Sequence, residues 1–102
     1  MDTTNHFRIM VKGEQRAAVA AFLNCQVSNI GDLRRSVAKM NRDEITKITK
    51  GMIKSSVGYG FEVLGGIAND MEQAARSKNW QELATIIDRC EYYLFSLEVE
   101  YK

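Results

Sequence analysis

Apolar residues recur at three- and four-residue steps through most of this chain. Between Glu14 and Met40, the residues Val19, Leu23, Val27, Ile30, Leu33, Val37 and Met40 form one stripe, widened by Phe22. That period places them on one side of a long helix. Gly13 breaks the chain before it, and Gly31 is a soft point inside it, costing about 1 kcal/mol relative to alanine. Asn41 opens a second helix, because asparagine is a favoured N-cap and Glu44 three residues on gives a capping-box-like pairing. Its expected buried face is Ile45, Ile48, Met52, Ile53, Ser56 and Val57, with Asp43, Lys47, Lys50 and Lys54 opposite. Gly58-Tyr59-Gly60 ends this helix. A third follows over Phe61–Arg76, turning Leu64, Ile67, Ala68, Met71 and Ala75 inward. The pair Gly65-Gly66 would let a neighbouring helix come close. After the turn Ser77-Lys78-Asn79, a last helix is capped by Asn79 with Glu82. Leu83, Ile86, Ile87, Cys90, Leu94 and Leu97 form its stripe, and Trp80 is expected to seal the bundle end.

Four amphipathic segments joined by short turns predict an all-α fold, an antiparallel four-helix bundle. Residues 1–102 suit one domain with one core. Residues 1–12 read as an N-terminal arm, in which Phe7, Met10 and Val11 make the apolar side of a short helix across the bundle end. The absence of proline leaves long helices uninterrupted. A tetratricopeptide-like helix pair is an alternative for the C-terminal half, but no second repeat accompanies it.

Hydrophobic residues make up 45% and charged residues 26%, the balance of a folded globular chain rather than a disordered one. No apolar run approaches the roughly 20 residues that span a bilayer, and the first residues lack an apolar leader segment. A cytoplasmic protein without membrane attachment is the expectation. Charge is unevenly placed. Residues 1–60 carry ten basic and five acidic side chains, and residues 61–102 carry four and eight. Such asymmetry can steer a charged partner. No aromatic-rich basic motif points to nucleic acid. Cys25 and Cys90 lack metal-ligand spacing and sit on or beside apolar helix faces, so they read as buried core thiols, with a disulfide as the lesser reading. No metal or cofactor site is visible.

Lys47, Lys50 and Lys54, spaced by three and four, share one stripe of the second helix, with Gly51 and Gly58 beside it. A solvated helix face is one reading of this stripe. A second comes from the surrounding residues. The run Lys50-Gly51-Met52-Ile53-Lys54-Ser55-Ser56-Val57-Gly58-Tyr59-Gly60 is followed by Leu64, Ile67, Met71-Glu72-Gln73-Ala74-Ala75-Arg76 and a short turn to Trp80. Over roughly residues 18–97 this resembles histidine phosphotransfer (HPt) domains, whose core reads His-x-x-Lys-Gly-Ser-Ser/Ala and then Gly at the tenth position after the histidine. Ser55, Ser56 and Gly60 match that pattern. Three positions depart from it. The phosphoacceptor histidine is replaced by Lys50, the supporting lysine by Ile53, and the following glycine by Lys54.

The resemblance implies a degenerate member, a pseudo-HPt. Relay needs an imidazole nitrogen with a free lone pair near pH 7, whereas a lysine side chain titrates near 10.4 and has none there. His6, the only histidine, has no active-site pattern around it. No enzyme is expected, since paired carboxylates, a Cys/His dyad and a phosphate loop are all absent from the pattern. The implied function is regulatory binding in two-component signalling. The chain would dock on a response-regulator receiver domain or a histidine kinase and inhibit or tune phosphorelay without carrying phosphate. Lys47, Lys50, Gly51, Lys54 and Gly58 would form the contact. The bulk of Lys54, where the family has glycine, counts against docking in the family's pose. The alternative is a small helical adaptor unrelated to phosphorelay. The sequence leaves oligomeric state open.

Overall fold

Both asparagine caps form as the sequence leads one to expect. Asn41 Oδ1 accepts the Glu44 N–H at 3.1 Å, and Asn79 Oδ1 accepts the Glu82 N–H at 3.2 Å. The structure, a computed structural model, is described for residues 7–102. It runs β1 (Phe7–Val11), a 3-10 turn (Gly13–Gln15), α1 (Arg16–Ala38), α2 (Arg42–Tyr59), α3 (Glu62–Arg76), α4 (Trp80–Ser96) and β2 (Leu97–Tyr101). Packing runs around a ring: α1 against α2, α2 against α3, α3 against α4 and α4 back against α1. One core, including Val19, Leu33, Ile45, Met52, Leu64 and Leu83, lies between them. Trp80 is half-buried at the start of α4 and packs against that core.

The three helix-to-helix turns use one device. Met40, Gly60 and Lys78 each take a left-handed φ, at 52°, 80° and 57°. The next residue then sends its N–H back into the preceding helix: Asn41 to Ser36, Phe61 to Ser56 and Asn79 to Ala74. This is the helix-terminating motif that glycine usually serves. Only one of the three has glycine, so Met40 and Lys78 hold a conformation that disfavours a side chain by about 1 kcal/mol. Met40 is therefore an exposed turn residue and not part of a core stripe.

The N-terminal segment differs from expectation. Residues 7–11, expected as a short helix, form a strand that pairs in parallel with β2, Phe7 opposite Leu97 and Val11 opposite Tyr101. Leu97, expected as the end of a helical stripe, is extended. The physical reason lies in the alternation of Leu97-Glu98-Val99-Glu100-Tyr101, which puts three apolar side chains on one sheet face and two glutamates on the other. Five residues are too few for a helix to be stable by itself. Gly13 follows from this sheet. Its N–H meets the Lys102 carbonyl at 2.9 Å, and a Cβ there would lie 2.5 Å from that oxygen. Residues 1–6, His6 among them, lie outside the described residues.

The face of α1 keeps Val19, Phe22, Ile30 and Leu33 from the expected stripe, holds Leu23 and Val37 half-buried at its margin, and is turned slightly toward Gln26 and Ser36. Val19, Phe22, Gln26, Ile30, Leu33 and Ser36 face inward, while Val27 is exposed. Cys25, about 160° around the helix from Val27, is exposed as well, against the expectation of two buried thiols. The cause is that α1 has alanines and valines on both sides, so composition does not pick the inward face. Cys90 is buried, and burial pushes its thiol up to about 12. Both cysteines are free.

Candidate binding face on α2

Helix α2 is committed to the core on one side by Ile45, Thr49, Met52 and Ser56. Ile48 and Ile53 pack half-buried at the margins of that face. Ser56 faces Gly65 of α3. Its Cβ lies 3.5 Å from where a side chain on Gly65 would begin. That is an ordinary contact distance, so Gly65 faces the neighbouring helix without an unusually close approach, and Gly66 is exposed and faces no helix.

The opposite side holds all five residues singled out by sequence. Lys47, Lys50, Gly51, Lys54 and Gly58 are exposed and fall within about 100° of helix surface at 3.6 residues per turn. The structure adds Val57, which was expected in the core. It is 70% exposed and sits one residue before Gly58, two turns along from Lys50. Spacing alone would have found it, since Lys50 and Val57 are seven apart, but its apolar character argued for burial.

Two features characterise this face. The first concerns pairing. Arg34 joins α1 to α4 through Asp88 at 2.9 Å and Glu91 at 2.7 Å. Arg89 meets Asp70 at 3.0 Å and Arg76 meets Glu72 at 3.2 Å. Arg35 pairs with Asp32. Among the described residues, Lys47, Lys50 and Lys54 have no ion-pair partner, which they share with Lys12, Lys39, Arg42 and Lys78; here three such cations lie on one stripe. The second concerns the glycines. A Cβ on Gly51 or Gly58 would meet nothing within 4 Å, and neither has a positive φ. Packing within the chain therefore does not account for glycine at either position.

A shallow groove of about 450 Å³ lies between α3 and α4, lined by Val63, Gly66, Ile67 and Tyr92 and bounded by the Asp70–Arg89 pair. Val63 and Tyr92 are both about half exposed. No group of three or more His, Cys, Asp or Glu side chains stands ready to hold a metal among the described residues. No described helix is long and apolar enough to cross a membrane. Comparison of the chain with protein-family models, curated proteins and solved structures finds no match.

Proposed function

We propose that the chain is an HPt-like antiparallel bundle acting as a non-catalytic binding protein of two-component signalling in the cytoplasm. It docks through α2 on a receiver domain or a histidine kinase and tunes relay without carrying phosphate. The observation that carries this reading is the unpaired, exposed stripe of Lys47, Lys50 and Lys54 with two open glycines beside it. A receiver presents a cluster of carboxylates around the aspartate it phosphorylates. The lysine ammonium groups supply the opposite charge, and the glycines let a partner's backbone come close. Lys50 stands where the resemblance puts the phosphoacceptor, and Ile53, at the position of the supporting lysine, is turned half into the core. The site therefore has charge to bind with and no imidazole to accept phosphate. Lys54 is bulky but exposed, so its side chain can swing aside.

The test is capture of isolated receiver and kinase domains at low salt by the parent chain and by the Lys50→Glu/Lys54→Glu variant. Surface charges act mainly on association rate and salt dependence, so the variant loses capture most at low salt while its helical signal is unchanged. Phosphorylated receivers leave the chain unlabelled. Capture by the variant equal to the parent, or acid-labile label on the chain, overturns the reading. A second reading, a helical adaptor unrelated to phosphorelay, is favoured by the α3–α4 groove. Under it, Val63→Asp/Tyr92→Asp abolishes partner capture and the lysine variant does not.

A further inference from the structure

The two-stranded sheet has edges whose backbone phase can be read directly. Lys102 donates its N–H to the Val11 carbonyl at 3.0 Å and accepts the Gly13 N–H at 2.9 Å. In a parallel pair one residue directs both groups to its neighbour strand, and the next residue directs both away. Continued along the register, the backbone groups of Ile9 and Val11 face β2, while those of Arg8 and Met10 face outward. No backbone group of the described residues pairs with those of Arg8 or Met10. Their side chains are exposed as well, Met10 at 56%. By the same phase, β2 directs the backbone groups of Leu97, Val99 and Tyr101 outward.

An open edge is a template for another strand, and a sheet of two strands gains most from extension. We infer that β1 is a self-association edge: it pairs antiparallel with β1 of a second copy about a two-fold axis at Ile9. The charges select this arrangement. Pairing the outward groups of two β1 strands allows three registers. Centring on Arg8 sets arginine opposite arginine. Centring on Met10 sets Arg8 opposite Lys12. Centring on Ile9 sets Arg8 opposite the second copy's Met10 and no like charges face each other. On the β2 edge, every register that pairs two or more of its outward residues sets Glu98 or Glu100 opposite a glutamate; centring on Leu97 or Tyr101 avoids this but pairs only one outward residue of each strand. Like charges directly opposite are destabilising. Arg8 is already balanced within its own sheet, lying 3.5 Å from both Glu98 and Glu100. The result is a two-fold symmetric four-stranded sheet, β2-β1-β1-β2, whose outer edges are the β2 strands.

The test is solution mass by sedimentation equilibrium from micromolar to near-millimolar concentration. The parent reaches twice the 11.6 kDa of one chain and stops there. Met10→Pro removes an outward donor and no bond of the existing ladder, so it stays at the mass of one chain with unchanged helical signal. Met10→Lys separates the two roles. It places a lysine opposite Glu100 in its own sheet, which favours the fold, and opposite Arg8 of the second copy, which opposes pairing. With two such contacts per dimer, association weakens by about three- to tenfold while thermal stability holds or rises. A parent chain that stays at one mass throughout overturns the inference. So does a mass that grows past two chains, the mark of head-to-tail β1–β2 pairing. A Met10→Lys dimer as tight as the parent's overturns it equally.

Discussion

Gly51→Ala separates folding from binding on one residue. Gly51 lies in the interior of α2, where glycine is disfavoured relative to alanine by about 1 kcal/mol. Its φ is not positive, and an added Cβ meets nothing within 4 Å, so neither strain nor a clash offsets the gain. The variant is therefore expected to be more stable by about 1 kcal/mol, raising the melting temperature by about 4–8 °C for a chain of this size. Urea unfolding followed by circular dichroism checks this as a higher midpoint at unchanged slope. The same methyl group projects from the face proposed for docking, where it holds a partner's backbone away. Capture of that partner weakens even as the fold strengthens. A loss of stability would refute the backbone argument. A gain in stability with undiminished capture would refute close approach at this glycine.

The remaining predictions concern the thiols. Under native conditions Cys25 reacts with a thiol reagent at the rate of an exposed cysteine, while Cys90 reacts only as the chain unfolds; equal rates for both would contradict the orientation of α1. Burial pushes the Cys90 thiol from 9.0 up to about 12, so the unfolded chain ionises first. The stabilisation is complete below about pH 9 and declines as pH rises toward 12, by about 1.4 kcal/mol per unit. Tyr93, raised by its own burial and then by Cys90, adds to the decline at the alkaline end. Cys90→Ala removes the slope between about pH 9 and 10, and an equal decline in parent and variant would show that the thiol is not its source.

The parts of the fold legible in the sequence are those where two signals agree. At Asn41 and Asn79 a capping asparagine precedes an apolar stripe, and each helix starts within a residue of the expected place. Where only one signal exists, the reading slips. In α1 the apolar residues surround the helix, and the structure buries Gln26 in preference to Val27. Spacing from Val19, Phe22, Ile30 and Leu33 puts position 26 inward and Val27 to the side, but the polarity of glutamine argued against its burial. The strands were missed for another reason, although the alternation over 97–101 is itself a strand signal. Their partner lies at the far end of the chain, and no local pattern announces a pairing between Phe7 and Leu97. The lysine face was legible because charge and spacing agree, and Val57 was missed because its chemistry suggested the opposite of its position.

The parallel pairing of the two chain ends also fixes how this molecule bears load. Tension applied through residues before Phe7 and after Tyr101 pulls the two strands in opposite directions along their length, because in a parallel pair those points lie at opposite ends of the ladder. The rungs are then sheared together and do not peel one at a time. The force that first yields is set by the whole ladder and the rate at which it ruptures. Behind it, the four helices feel no pull until it gives way. A short sheet that adds little area to the core thereby acts as a latch for the entire bundle.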